Sequence, residues 1–99
     1  MAIVNRFTLA GEKWVVYEVP DITTEDGKEG WGTVDIDNNT IYIVKDMKED
    51  FKNKIIIHEL MHGILGKYMY FDLYNNEQLV QTLALALREV FKTIKKKIV

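Results

Sequence analysis

The stretch His58-Glu59-Leu60-Met61-His62 constrains the fold more than any other, because its spacing performs chemistry only on a helix. Residues four apart share one helical face, so a helix here aims both imidazoles at one point and sets Glu59 beside them. His58 and His62 are the only two histidines of the chain, and both stand in this motif. The arrangement predicts a metal site. A zinc ion, Zn(2+), held by His58, His62 and one further protein ligand keeps a position for water, lowers the pKa of that water and polarises a carbonyl. Glu59 is then placed to take the proton from the water. The competing reading is a pair of core histidines, each satisfied by a neighbouring hydrogen bond and chemically idle.

From about Glu49 to Leu65 the apolar residues take helical spacing. Projecting Phe51, Ile55, Ile56, Ile57, Leu60, Met61, Ile64 and Leu65 leaves almost no bare side, which predicts a helix running through the core. His58 and His62 fall on the side shared by Phe51 and Ile55, where buried imidazoles need partners. Gly63 allows close approach of another element, and Gly66 is placed as a helix stop. Asn75 or Asn76 makes an N-cap for a second helix from Glu77 to about Lys97. Its positions Val80, Leu83, Ala84, Leu87, Val90, Phe91, Ile94 and Ile98 follow the three-and-four spacing of a buried face. Glu77 opens this helix on that face. It is either a first-turn glutamate favoured by the helix dipole or a third metal ligand, and the spacing leaves both open. Between the helices, Lys67 to Asn76 carries Tyr68, Tyr70 and Tyr74. Each packs with its hydroxyl outward in the simplest reading; in the other, one phenol donates a hydrogen bond to a developing oxyanion, since no third histidine exists to do so.

The first half of the chain reads as strand. Ile3 to Leu9 and Trp14 to Val19 form a hairpin across Ala10-Gly11-Glu12-Lys13, and Trp31 to Asp37 with Thr40 to Val44 form another across Asn38-Asn39. Asp21 to Gly32 is a polar, acidic loop lacking the alternating oxygen ligands of an EF-hand, so calcium is not expected there. With 99 residues, of which 47% are apolar, the chain makes one domain, residues 1–99. The expected fold is α+β: a small antiparallel sheet of about four strands packed on the motif-bearing central helix and a C-terminal helix.

The formal net charge of -2 and a pI near 5.6 give no attraction for nucleic acid or an anionic membrane, so neither is expected as a partner. Lys95-Lys96-Lys97 is local and reads as a solvated helix end. Cysteine is absent, so any metal must be held by His, Asp or Glu. No apolar run is long enough to span a bilayer and Met1 to Leu9 has no secretory pattern, which makes a cytoplasmic protein the expectation.

The run His58-Glu59-Leu60-Met61-His62, a short link, then Glu77 followed by Val80, Gln81, Leu83 and Ala84 resembles the gluzincin metallopeptidases. It is similar in particular to ImmA/IrrE-type peptidases, including small phage-encoded members, and to the single-domain minigluzincins. The likeness covers roughly Trp31 to Leu87. It implies a minimal zincin core that hydrolyses peptide bonds, as an endopeptidase rather than an exopeptidase. It implies His58, His62 and Glu77 as zinc ligands and Glu59 as general base. The strand Thr40 to Val44, with Ile41, Tyr42 and Ile43, becomes the edge to which an extended peptide or protein substrate adds. Small proteins of this kind are monomers or self-inhibited homodimers, and the apolar end Ile98-Val99 is a candidate plug for a latent cleft. The chain carries no helix-turn-helix signature, so the repressor-cleaving role of larger relatives is not carried over. Two other classes remain in view: a catalytically silent, zinc-containing module that grips a peptide or protein through its sheet edge, and a structural or inhibitor domain with no metal.

Overall fold

Two hairpins supply the sheet, and each is set by its turn; the computed structural model describes residues 1–23 and 30–96. Strands β1 (Ala2–Leu9) and β2 (Glu12–Val19) meet across Ala10 and Gly11, whose φ angles of 53° and 76° make the left-handed pair that matches the twist of a two-residue hairpin. Strands β3 (Gly32–Asp35) and β4 (Thr40–Val44) are joined by residues 36–39, a longer turn than the expected Asn38-Asn39, so the strand ends at Asp35 rather than Asp37. The Asp35 carboxylate is the cause. It accepts hydrogen bonds from the Asn38 N–H at 3.2 Å and from Asn38 Nδ2 at 2.8 Å, which curls the chain before Asn39 at φ 52°.

The strands lie in the order β1-β2-β4-β3. The fold is α+β as expected, but the sheet is mixed where an antiparallel one was expected: each hairpin is antiparallel within itself, and β2 and β4 join them in parallel, Val15 opposite Thr40 through Val19 opposite Val44. Burial explains the join. Placing β2 beside β4 gathers Trp14, Val16, Ile41 and Ile43, all fully buried, at the centre of one face. On the other face Tyr17 stacks on Tyr42 with ring centroids 5.9 Å apart.

Helix α1 (Glu49–Lys67) lies between the buried face of the sheet and α2 (Glu77–Thr93). Ile55, Ile56 and Leu60 pack towards the sheet, while Ile57, Met61, Ile64 and Leu65 meet Val80, Ala84 and Leu87 of α2. A helix covered on two sides needs apolar residues nearly all round, as its projection shows. Close approach is built in at Gly63, where a Cβ would stand 3.2 Å from Trp14 Cη2. Gly66 plays the same part rather than stopping the helix: a Cβ there would come within 2.9 Å of Ile36 Cδ1. The helix ends just beyond it, around Met69 at φ 66°, where the Met69 N–H donates to the Gly66 carbonyl at 3.2 Å and the Tyr70 N–H to the Leu65 carbonyl at 2.8 Å.

Of the two candidate caps, Asn76 opens α2, its side chain accepting from the Leu79 N–H at 3.0 Å. The helix ends at Thr93 rather than near Lys97, and Leu83, Val90, Phe91 and Ile94, expected on its buried face, are exposed. Helices α1 and α2 are antiparallel, and Arg88 and Lys92 already pair with Asp50 in the first turn of α1. Beyond that pairing α2 has no neighbouring helix left to cover. The expectations for residues 24–29 of the acidic loop, for Lys97 and for the Ile98-Val99 plug lie outside the described residues. Among the described residues, no helix is long and apolar enough to cross a membrane.

Candidate metal centre

His58 and His62 stand one turn apart on α1, with ring centroids 5.1 Å apart. The short link after α1 reverses the chain and starts α2 directly opposite them. Glu77, the first residue of α2, thereby puts one carboxylate oxygen 3.1 Å from His58 Nε2 and the other 3.0 Å from His62 Nε2. One ligand atom from each of the three residues lies within 4.8 Å of the other two. Glu77 is two-thirds exposed and His62 is buried, so the group opens to solvent on the α2 side.

The far nitrogens decide what this cluster can hold. His62 Nδ1 lies 2.7 Å from the Tyr74 carbonyl, which can only accept, so Nδ1 carries the proton. His58 Nδ1 lies 2.6 Å from the Gln81 amide oxygen, and with the amide turned this way it is a donor too. In the neutral imidazoles both Nε2 atoms therefore present bare lone pairs, and they present them to a carboxylate. Lone pairs facing lone pairs at about 3 Å repel unless a proton or a cation lies between them. The spacing is close to the edge of a tetrahedron with metal–ligand bonds of about 2.1 Å, roughly 3.4 Å. Two imidazole nitrogens and a carboxylate oxygen, with no thiolate, are a donor set that suits zinc.

Glu59 occupies the sheet side of the cluster. It is 8% exposed, and its Cγ lies 3.1 Å from where a Cβ on Gly32 would stand. Burial raises its carboxyl pKa above the ordinary value, opposed by the charges of His62 and His58 and aided by that of Glu77. Its carboxylate has no hydrogen-bond donor among the described residues. The result is a carboxylate of raised basicity beside the His58, His62 and Glu77 group, open to a cleft of about 340 Å³ lined by Trp31, Gly32, Phe51, Lys54 and Gln81.

Tyr74 is the tyrosine that reaches the site. Its ring lies 5.7 Å from that of His62, and burial, then Glu59, Asp35 and Asp37, raise its phenol pKa. Tyr68 and Tyr70 sit more than half exposed in the link, and none of the three tyrosines lines the cleft beside Glu59.

The expected substrate edge is also corrected. β4 is hydrogen-bonded on both sides, by β2 and by β3, and Ile41 and Ile43 are fully buried, so Ile41, Tyr42 and Ile43 offer no free edge. Among the described residues, the strand with a free edge beside the site is β3. In its pairing with β4 the Trp31 carbonyl accepts from the Val44 N–H at 3.0 Å, and Thr33 and Asp35 repeat that inward position at two-residue intervals. Gly32 and Val34 thus point their N–H and C=O groups outward.

Two contributors escaped the sequence reading as functional groups. Gln81 lies one turn after Glu77 on the same face of α2, a spacing that does signal a shared role. The Tyr74 carbonyl has no sequence signal, because every residue carries one. Fold and site together define an α+β domain with a His-His-Glu group able to hold a metal ion. Comparison with family models, curated proteins and solved structures finds no match for this chain.

Proposed function

We propose that this chain is a zinc-dependent metallopeptidase of the gluzincin kind, cleaving internal bonds of extended peptides. The observation that carries the reading is the convergence of the His58 and His62 Nε2 lone pairs on the Glu77 carboxylate, with both Nδ1 atoms already committed as donors. His58, His62 and Glu77 would hold the ion. Zinc, when bound, supplies a Lewis acid that polarises the scissile carbonyl and makes water acidic enough to attack it at neutral pH.

The chain's own residues do the rest. Glu59, with its raised pKa, accepts the proton of the attacking water and hands it to the departing amine. Tyr74, whose raised pKa keeps the phenol protonated, donates a hydrogen bond to the oxyanion. The outward N–H and C=O groups of Gly32 and Val34 pair with the substrate backbone, which grips an extended chain without requiring a particular sequence. A cytoplasmic setting belongs to the same reading, in keeping with a fold that uses no disulfide.

Glu59→Gln tests the catalytic assignment. The variant is expected to keep its zinc and to lose peptide cleavage by a factor of about 100 or more. The second reading, a silent zinc-containing grip for extended chains, rests on the same free β3 edge. It requires that the parent cleave nothing and that Glu59→Gln bind a peptide as the parent does.

A further inference from the structure

We propose that the wedge between β1 and the C-terminal end of α2 is a docking site for an extended, acidic segment of a partner protein. The segment adds to the free edge of β1, lays an apolar side chain on Ile57 and Phe91, and sets an Asp or Glu side chain against Arg88 and Lys92. The wedge shares no lining residue with the cleft beside Glu59, so the inference stands apart from the peptidase reading.

The wedge exists because the helices do not cover the whole sheet. α1 packs chiefly over β3 and β4, at the end of the strand order away from β1. The first residues of β1 are left uncovered, with Ile3 43% and Val4 39% exposed, and near the end of α2 Phe91 is 59% exposed. Between them lies a hollow of about 340 Å³. Asn5 lines it on the strand side, Ile56 and Ile57 of α1 form an apolar floor, and Arg88, Phe91 and Lys92 of α2 stand opposite.

The strand offers backbone to pair with. Phe7 faces Trp14 and Leu9 faces Glu12 across the two-residue turn, so these residues bond inward while Arg6 and Thr8 direct their N–H and C=O groups outward. The Arg6 N–H agrees with that direction, since its acceptor at 2.8 Å is the Asn5 side-chain oxygen and not β2. The register shift between Ile3 and Asn5 ends the regular edge there and so places one end of an added strand beside the hollow.

Charge selects the occupant. Arg88 and Lys92 share a single carboxylate, that of Asp50, with Lys92 Nζ 2.9 Å from its Oδ1. Two cations against one anion leave the hollow positive. Among the described residues the Arg88 Nε–H is also buried without an acceptor, so the guanidinium is incompletely met. An apolar floor and a positive balance beside an open strand edge fit an extended chain that carries an apolar and an acidic side chain on one face.

The test uses the full chain as Glu59→Gln, so that no probe is cleaved. The probe is a fluorescent, acetylated and amidated peptide, Thr-Phe-Thr-Glu-Thr-Val, with three siblings: Gln in place of Glu, Ala in place of Phe, and a backbone-N-methylated form. Fluorescence anisotropy reads affinity, and backbone amide chemical shifts read location. Shifts are expected at Asn5, Arg6, Phe91 and Lys92. Affinity is expected to fall by about threefold with Gln and by roughly tenfold with Ala, and binding to be lost on N-methylation. Lys92→Gln is expected to erase the preference for Glu over Gln, and Lys92→Arg to keep it, which separates loss of charge from damage to the fold. No binding, shifts confined to β3 or any surface other than the wedge, equal affinity for the Glu and Gln peptides, or unchanged binding of the N-methylated form would each overturn the proposal.

Discussion

Two acceptors, the Tyr74 carbonyl and the Gln81 amide oxygen, decide what His58 and His62 can do. By accepting hydrogen bonds from Nδ1–H they fix the tautomer that leaves Nε2 free for a cation. Gln81 differs from the backbone acceptor in being replaceable. Gln81→Ala is expected to weaken zinc binding by about 10- to 100-fold, and Gln81→Glu to restore it, since a carboxylate accepts the same Nδ1–H. Competition with a chelator of known affinity measures both. Unchanged zinc affinity in Gln81→Ala would show that the hydrogen bond holds the ring without preparing it. The sequence announces His58, Glu59 and His62, because their spacing has one simple use on a helix. Glu77 is only half announced: a first-turn glutamate also satisfies the helix dipole, and what sets it apart is the antiparallel return of α2 over α1.

Among the elements, the join between α1 and α2 carries a strained residue. Met69 holds φ at 66° with a side chain 75% exposed, in a position where glycine is usual. Met69→Gly is expected to raise unfolding stability by about 0.5–1 kcal/mol, since the left-handed conformation costs a side chain about 1–2 kcal/mol and glycine's larger unfolded-state freedom offsets part of the gain. Chemical denaturation measures this, and a loss of stability would show that Met69 makes contacts outweighing its strain. The opposite end of the helix pair is tied by charge. The Lys92 ammonium, then the Arg88 guanidinium, hold the Asp50 carboxyl below its ordinary value of 3.8. A depressed pKa in the folded state stabilises it above the ordinary value and ceases to do so as pH falls through the lower folded value. The difference in melting temperature between parent and Asp50→Asn should therefore be present at neutral pH and vanish in strong acid; a difference that persisted there would assign the effect to something other than the ion pairs. Hairpin positions and helix starts are legible because turns, caps and apolar periods are local. The parallel pairing of β2 with β4 is not, because neither hairpin encodes which strand of the other it will join. That missing fact is why Thr40 to Val44 reads as an edge and β3 holds that place.

The whole molecule is a stack of three layers, with the sheet on one side of α1 and α2 on the other. The motif helix takes the middle place because its apolar residues cover nearly its entire circumference. That position sets His58 and His62 along the seam where the link turns the chain and α2 begins. The layer order is legible in the sequence through that even apolar coverage, whereas the early end of α2 at Thr93 depends on where α1 happens to start. If the cluster is what its lone pairs require, the protein purified without added metal carries zinc. The decisive measurement is the mass of the native protein, with His62→Ala as control. About one zinc per chain in the parent and none in the variant is the result expected from the donor geometry. A parent that carries no zinc, and takes up none when it is added at neutral pH, would contradict the metal centre and return His58 and His62 to the role of hydrogen-bonded core residues.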